Sequence, residues 1–352
     1  MASAVSRARS DSRSSKSLVG TLLAAVVLGT GGLLAATGFD VAHALEALVS
    51  GAFGSWYAFG SGTLVRATPL VLTGVGVAIA FRAGVFNIGA EGQFLVGAAA
   101  GAAAALSFSM LPAVLLIPSS LIAGAAAGAA WAWIAAMLRA RFHVLEVIST
   151  ILLNFVASNL LSYLVRGPMQ EPTHVYPQTS TIPRAAQLPH LGSTTRLHFG
   201  FLIAILACAI SWWVIRYTAG GFRLRAVGTN PRAARSAGKI DVERVTMRAF
   251  LASGALSGLA GAIEVCGVTY ALYENISPGY GYTAIAVALL ARLNAAAVIV
   301  TGIAFGALEA GGTAMQRDAG VPSVVVSVVE AGVILALVVF QKTRIGGQAA
   351  AE

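Results

Sequence analysis

FRAGVFNIGAEGQFLVGAAAG, residues 81–101, places three polar side chains between glycines at the start of a long apolar run. These side chains are Asn87, Glu91 and Gln93. Each glycine inside a helix costs about 1 kcal/mol of stability relative to alanine. The pattern therefore predicts that one helix breaks near Gly84 and that a new helix starts close to Asn87.

The rest of the chain has the composition of a polytopic membrane protein. Its 352 residues are 57% hydrophobic and only 11% charged, whereas soluble domains carry about 25% charged residues. A spanning helix needs about 20 mostly apolar residues. We therefore predict an all-α transmembrane helical bundle of about ten segments, with broken or half helices, in which the eighth segment is too short to span by itself. The predicted segments are 18–38, 64–81, 87–107, 113–137, 147–165, 199–215, 249–266, 282–291, 295–311 and 322–340.

The basic residues predict the orientation of these segments. The net charge is +9, and the positive charges cluster in short loops between apolar runs. If the N-terminus is inside, 18 of the 23 Lys and Arg residues fall on the inner side, as the positive-inside rule requires. This distribution predicts that both termini are cytoplasmic and argues against nucleic acid as a partner. The residues left outside are Arg66, Arg166, Arg184, Arg196 and Arg317.

The predicted organisation is one transmembrane domain with two polar tails. A basic cytoplasmic tail covers residues 1–17, the transmembrane domain covers 18–341, and a second tail covers 342–352. A proline-rich outer loop is expected at about 166–198, and an inner loop with eight Lys and Arg residues is expected at about 216–248. Because no polar stretch is long enough for a nucleotide-binding domain, any energy source must lie on another subunit.

The sequence offers no sign of an enzyme, a metal site or a cofactor. Cys208 and Cys266 lie far apart in apolar segments, and the five histidines are scattered without ligand spacing. The stretch SAGKI lacks a P-loop, because Ala233 and Ile240 stand where that motif needs glycine and Ser or Thr. We therefore expect a transport protein that has no catalytic residues of its own.

The polar residues of the predicted break are candidates for a solute path. Discontinuous helices near the bilayer midplane are a recurrent way for transporters to build a substrate site. An acidic residue that faces the membrane interior costs about 2.5 kcal/mol or more and is usually functional. Asn87, Glu91 and Gln93 are therefore predicted to line or gate a path. The alternative is that they lie at the cytoplasmic interface, close to Arg82, and only bond neighbouring loops.

A second polar group lies in EVISTILLNF, residues 146–155. Glu146, Ser149, Thr150 and Asn154 are spaced by 3, 4 and 8 residues and fall near one helix face. They form either a polar stripe along a path or a set of interhelical hydrogen bonds, each worth about 0.6 kcal/mol. Two further buried polar candidates are Glu264 and Asn294.

The inner loop contains GFRLRAVGTNPRAARSAGKID, residues 221–241, which predicts a short helix. Asn230 is a good N-cap, Pro231 suits the first helical position, and Gly238 is a natural stop. A two-turn helix over Pro231–Ala237 is marginal in water. We therefore expect it to dock into a partner. The alternatives are a basic loop packed on its own transmembrane ends, or a contact with anionic lipid.

Four motifs, in this order and spacing, carry a resemblance to a known family. NIGAEGQFLVGA, EVISTILLNFVA, GFRLRAVGTNPRAARSAGKI and GYTAIAVALLARLN resemble the inner-membrane permeases of bacterial ABC importers of the branched-chain amino acid, ribose and simple-sugar type. Among these the chain is most similar to the nucleoside permeases. The resemblance runs from about Thr68 to Phe340.

The resemblance implies partners and a location. It implies a ten-helix multi-pass fold in the bacterial inner membrane, and a dimer of permease subunits, either a heterodimer or a homodimer. It also implies ATPase subunits at the cytoplasmic face, and a periplasmic or lipid-anchored solute-binding protein. Nucleosides are the expected solutes, with ribose- or galactose-type sugars as the alternative.

The resemblance also implies that the 221–241 loop is the coupling helix. The chain departs from the family pattern at Leu145, Ala291 and Ala295, and Leu145 makes a different solute preference conceivable. The residues expected to couple to the ATPase are Arg225, Gly228, Asn230, Pro231, Arg232, Ala234 and Gly238.

Two other function classes remain at this point. An ion-coupled secondary transporter would use Glu91, Glu146 and Glu264 as carriers. An intramembrane enzyme would use Glu91 and Glu264 as acid and base, but it needs a catalytic constellation that the sequence does not contain.

Overall fold

A computed structural model describes residues 38–238 and 240–322, together with the single positions 32, 324, 325, 327, 328, 331 and 332. This part of the chain is built from α-helices, and it contains two isolated antiparallel bridges and no strand. The α-helices are α1 (Val41–Phe53), α2 (Val65–Arg82), α3 (Ala90–Ser107), α4 (Ala113–Phe142), α5 (Glu146–Arg166), α6 (Gly200–Tyr217), α7 (Ala219–Thr229), α8 (Pro231–Ser236), α9 (Val242–Glu264), α10 (Tyr280–Leu290) and α11 (Ala295–Ala319).

The all-α prediction is confirmed, and the predicted segments between 64 and 311 each match a helix. The largest error is at α9, which begins at Val242, seven residues before the predicted start at 249. Helix α1 was missed, because residues 41–53 directly follow a stronger apolar run. The segments 18–38 and 322–340 lie almost wholly outside the described residues, as do both predicted tails.

Within the described residues, six helical stretches are long and apolar enough to cross a membrane. They are Ala58–Arg82, Ala113–Phe142, Glu146–Arg166, Gly200–Tyr217, Val242–Thr269 and Ala295–Ala319, two of which include a π-helical turn at Ala58–Leu64 or Val265–Thr269. Helix α10 has only 11 residues, so it is too short to span, as the sequence predicted. Arg292 and Leu293, both with positive φ (53° and 58°), form the turn between α10 and α11.

The chain divides into two compact units, residues 1–59 with 308–352 and residues 60–307. In the described part of the first unit, Ala44 and Ala47 of α1 pack against Met315 and Val321. A Cβ at Gly51 would collide with Ala314, so α1 lies very close to the end of α11. The second unit holds the candidate site.

Three helices of the second unit, α3, α4 and α9, cross through paired glycines. Each helix carries glycines four residues apart, the spacing that lets helix backbones approach closely. At Gly258 of α9, a Cβ would lie 2.8 Å from the Cα of Gly128 and would overlap the carbonyl oxygen of Gly124. A Cβ at Gly97 would overlap the backbone of Gly258. The centre of this unit is therefore a backbone-to-backbone contact that no side chain can enter.

The predicted outer loop is irregular but bonded to the chain that follows α9. Ile182 N–H donates to the Tyr270 carbonyl at 2.8 Å, and Leu188 N–H donates to the Cys266 carbonyl at 2.7 Å. Thr179 N–H donates to the Leu272 carbonyl at 2.9 Å. These bonds fix the loop over the end of α9.

The predicted inner loop is largely helical. Helix α8 runs over Pro231–Ser236, within one residue of the prediction, and the Asn230 side chain accepts from Ala233 N–H at 3.0 Å. Gly238 has φ +71°, as its predicted role as a stop requires. The expectation of an isolated helix is wrong, because α7 and α9 flank α8 and Ala234 packs with Val227 and Val242.

The glycine crossing predicts a sharp sensitivity to one added methyl group. Gly258→Ala forces a Cβ into backbone atoms that cannot rotate away, so we expect a loss of about 1–3 kcal/mol of stability. The thermal melting of the purified full-length protein measures this loss. The matched control is Gly192→Ala, because a Cβ there meets only the Thr195 hydroxyl at 3.7 Å. Equal melting of both variants would contradict the crossing.

Candidate functional site

The break predicted near Gly84 is present between α2 and α3. Helix α2 ends at Arg82 and α3 begins at Ala90. Gly84 has φ +75°, and Val85 N–H donates back to the Ala80 carbonyl at 3.1 Å. This is a Schellman-type ending, in which glycine takes the left-handed position.

Two amides close the break. Asn87 Nδ2 donates to Gln93 Oε1 at 2.9 Å, and Gln93 Nε2 donates to Asn87 Oδ1 at 3.0 Å. Asn87 also donates to Ser253 Oγ of α9 at 2.9 Å and accepts from Gly89 N–H at 3.0 Å. Both amide side chains are buried, and their polar atoms bond to the protein rather than to a cavity.

Asn154 of α5 completes the same cluster from the opposite side. Its Oδ1 accepts from Gly92 N–H at 2.8 Å, and its Nδ2 donates to the Ile88 carbonyl at 2.9 Å. A Cβ at Gly92 would lie 2.9 Å from Asn154 Oδ1, so glycine gives the amide its access. We call Asn87, Gln93, Asn154 and Ser253 the amide cluster.

The amide cluster has a physical reason that comes from its depth. Asn154 lies eight residues after Glu146, the first residue of α5, which places it about 12 Å along the helix axis. Non-helical backbone at membrane depth must find its hydrogen bonds within the protein. The cluster supplies them to residues 88, 89 and 92.

Glu91 holds the start of the half-helix α10. Its Oε2 accepts from Gly281 N–H, in the first turn of α10, at 2.7 Å. Ser277 Oγ accepts from Tyr280 N–H at 3.0 Å at the same helix end. A carboxylate beside free N–H groups at a helix N-terminus is favourable. Glu91 is itself in the first turn of α3, so two helix N-termini meet at one buried carboxylate.

Helix α10 makes further contacts at this end. The Tyr282 hydroxyl lies 3.3 Å from Asn154 Nδ2. The Tyr280 ring meets the Phe94 ring edge-on, with centroids 5.7 Å apart. A Cβ at Gly281 would overlap the backbone of Glu91. The sequence analysis missed Ser253, Gly281 and Tyr282, although the glycine before Tyr282 in GYGYTA was a usable signal for a close approach.

The remaining path candidates do not join the amide cluster. Ser149 and Thr150 donate to carbonyls of their own helix, with Thr150 Oγ1 2.7 Å from the Glu146 carbonyl. Glu146 pairs with Arg139 at 3.4 Å. Asn294 Oδ1 accepts from Ala296 N–H at 3.1 Å at the start of α11. These residues end or stiffen helices.

Glu264 is buried at the opposite end of the bundle from α8. It lies at the end of α9, where Arg66 and Arg196 interact with it electrostatically. It is therefore separate from the cluster around Glu91, and the two carboxylates do not form an acid–base pair.

The outer loop buries one histidine completely. His198 Nδ1 accepts from Gly200 N–H at 3.1 Å, and Nε2 has no partner among the described residues. Burial lowers the pKa of His198 to about 4, and the positive charges of His190 and Arg196 contribute. His198 is therefore neutral at physiological pH.

Asn159 of α5 is a polar residue that the sequence analysis did not single out. It is exposed in the middle of a spanning helix, with Phe155 and Tyr163 exposed on the same face. At the far end of this face, Arg166 Nη2 pairs with Glu274 at 2.7 Å, and Glu274 also bonds Ser162. The Arg166 hydrogen bond lowers the pKa of Glu274, so this pair stays charged but balanced.

The predicted coupling residues divide into exposed and buried groups. Pro231 and Arg232 are exposed, with Arg235 and Ser236 beside them around a surface cavity of about 470 Å³. Ala234 is buried. The rest have local structural contacts: Asn230 caps α8, Gly238 ends it, Gly228 packs on the Arg82 carbonyl, and Arg225 lines a separate cavity.

The amide cluster predicts a clear separation between two asparagines of α5. Asn154→Ala leaves the Gly92 N–H and the Ile88 carbonyl buried without partners, which costs about 1–3 kcal/mol. We expect a lower melting temperature for the purified full-length protein. Asn159→Ala, on the exposed face of the same helix, should melt like the wild type. A stable Asn154→Ala protein would contradict the role assigned to the cluster.

Comparisons with known proteins test the resemblance noted in the sequence. Residues 59–340 match the family model described as branched-chain amino acid transport system / permease component. The chain is 40% identical to the glucose ABC transporter permease protein TsgB13 of Haloferax volcanii, over 93% of this chain and 88% of that protein. It is 39% identical to the guanosine ABC transporter permease protein NupP of Bacillus subtilis, over 89% and 91% of the two chains.

A third relative is the nucleoside ABC transporter permease protein NupB of Lactococcus lactis, 32% identical over 91% of this chain and 88% of that protein. The predicted resemblance is confirmed. This multi-pass membrane protein belongs to the family of branched-chain amino acid transport system permease components.

Proposed function

We propose that this chain forms the translocation path for nucleosides in an ATP-driven importer. The observation that carries the proposal is the exposed amide of Asn159 in the middle of a spanning helix. Polar side chains within membrane segments face a bundle interior or a watery cavity rather than lipid. The exposed face of α5, marked by Phe155, Asn159 and Tyr163, is therefore the candidate path wall.

The chemistry of this wall suits a neutral, polar, aromatic solute. Asn159 supplies a donor and an acceptor, and the rings of Phe155 and Tyr163 supply stacking surfaces, which bind every nucleobase. The charged residues at its end, Arg166 and Glu274, neutralise each other. Tyr282 extends the wall from α10, with 46% of its surface exposed.

The amide cluster and Glu91 have a supporting role in this proposal. They fix the break and the N-terminus of α10, and thereby set the position of Tyr282 beside Asn154. Substitutions in the cluster should change transport through stability, whereas substitutions at Asn159 should change it directly. Glu146, Ser149, Thr150, Glu264 and Asn294 are not assigned to the path.

A sugar is the second candidate solute. The Haloferax volcanii relative is named a glucose permease, and aromatic rings with an amide also suit a pyranose. The guanosine and nucleoside permeases among the relatives support the first candidate. Competition between a nucleoside and glucose for uptake separates the two.

ATP hydrolysis is assigned to other subunits, and the chain itself is not an enzyme. The supporting observation is the exposed basic surface of α8, which is held rigidly to α7 and α9 by Ala234. The family further supports a second permease subunit, homologous or identical, and a periplasmic or lipid-anchored solute-binding protein. The proposed location is the bacterial plasma membrane.

Uptake of labelled nucleoside tests the path. The complete transporter, reconstituted in vesicles with ATP, should take up labelled guanosine or uridine, and excess unlabelled glucose should not compete. Asn159→Leu should lower uptake at least tenfold, because about 1.4 kcal/mol of lost hydrogen bonding corresponds to tenfold.

The matched control is Ile210→Ala, an exposed apolar position on α6 that should keep wild-type uptake. If Asn159→Leu instead breaks the permease dimer, as seen by size-exclusion chromatography, the α5 face is a subunit contact and the path assignment is wrong. Glucose uptake without nucleoside uptake would favour the second candidate.

The α8 surface generates a separate prediction. Arg232→Glu reverses an exposed charge without touching the buried Ala234, so the fold should persist while the ATPase dissociates. Co-purification of the tagged permease with its ATPase measures this loss. The control is Arg223→Glu, an exposed position on α7 that is not on the α8 surface. Retained ATPase with Arg232→Glu would contradict the docking role.

A further inference from the structure

A second basic feature lies at the end of the bundle that carries α7 and α8. It is a cavity of about 540 Å³ between the ends of α2 and α6, helix α7 and the start of α11. Its lining residues are Arg82, Trp212, Ile215, Arg216, Tyr217, Arg225, Asn294 and Ala295. We call it the arginine cavity. The amide cluster, the α5 face and the exposed surface of α8 do not include these residues.

The arginine cavity gathers positive charge without a counterion. Three of its lining residues are arginines and none is acidic. Other arginines at this end of the bundle are paired: Arg139 with Glu146, Arg235 with Glu243, and Arg244 with Asp241. Within the described residues, no ion pair involves Arg82, Arg216 or Arg225.

Backbone packing holds two of these like charges together. The Gly228 backbone lies so close to the Arg82 carbonyl that a Cβ could not fit between them. This contact places Arg225, one turn earlier on α7, near the end of α2, and the guanidinium groups of Arg82 and Arg225 repel each other. An anion in the cavity would relieve the repulsion.

Helix α6 shows which kind of anion fits. Trp212 and Tyr217 at the cavity are residues typical of the membrane–water interface. A stripe of exposed apolar side chains leads away from it along α6, at positions 217, 213, 210 and 206. Each of Tyr217, Trp213, Ile210 and Leu206 is more than half exposed. A phosphate group in the cavity would therefore have an apolar surface beside it for an acyl chain.

We propose that the arginine cavity binds the phosphate headgroup of an anionic phospholipid, with the acyl chains along the α6 stripe. Arginine forks match phosphate oxygens in pairs, and basic pockets between transmembrane helices bind anionic headgroups. The bound lipid screens the repulsion between Arg82 and Arg225. It thereby stabilises the junction between α2 and α7, next to the ATPase-docking helix.

Native mass spectrometry and thermal melting of the purified full-length protein test the proposal. Dioleoyl-phosphatidylglycerol should bind and raise the melting temperature, whereas dioleoyl-phosphatidylcholine and inorganic phosphate should not. Each arginine near a headgroup contributes about fivefold in affinity. The triple variant Arg82→Gln, Arg216→Gln and Arg225→Gln should therefore weaken phosphatidylglycerol binding by about a hundredfold.

The matched control removes the same charge at the same end of the bundle. Arg139→Gln, Arg235→Gln and Arg244→Gln together should leave phosphatidylglycerol binding within about twofold of the wild type. If the triple cavity variant misfolds, the single variant Arg216→Gln, at an exposed position, should still lose about fivefold.

Three outcomes would overturn the lipid assignment. Equal loss of binding in both triple variants would show that only overall charge matters. Equal stabilisation by inorganic phosphate would assign the cavity to a free anion. Loss of the co-purifying ATPase with unchanged lipid binding would make the cavity a protein-docking surface.

Discussion

The contact between the backbones of α3, α4 and α9 is the constraint on which the second unit depends. Gly97, Gly128 and Gly258 leave no space for a side chain at the crossing. Helices in a membrane gain little from burying apolar surface against each other, so close packing of small residues supplies much of the association energy. The crossing also fixes where α3 begins, and thereby where the chain before it must break.

The break creates a second requirement, because its backbone lies inside the membrane without helical hydrogen bonds. Asn87, Gln93 and Asn154 meet that requirement from three sides, and Glu91 meets it for the first turn of α10. The same bonds place Tyr282 next to Asn154. Polar residues in this apolar chain therefore organise the backbone first, and they position the proposed path wall through it.

Charge is distributed along the molecule according to its neighbours. The end that carries α7 and α8 has both paired arginines and the unpaired set of the arginine cavity. At the opposite end, Arg166 and Glu274 balance each other beside the proposed path, and His198 stays neutral. A neutral solute would pass between these regions without meeting an isolated charge on the α5 face.

The sequence by itself determined the all-α class, the break near Gly84, the short α10 and the capped helix α8, because apolar runs, glycines and caps act locally. It also pointed to Asn87, Glu91 and Asn154. Only the tertiary structure decided that these residues bond the backbone, because their partners lie 62 to 190 positions away. It likewise decided that Asn159 is exposed while Asn154 is buried, since helix packing, not residue type, sets which face is covered.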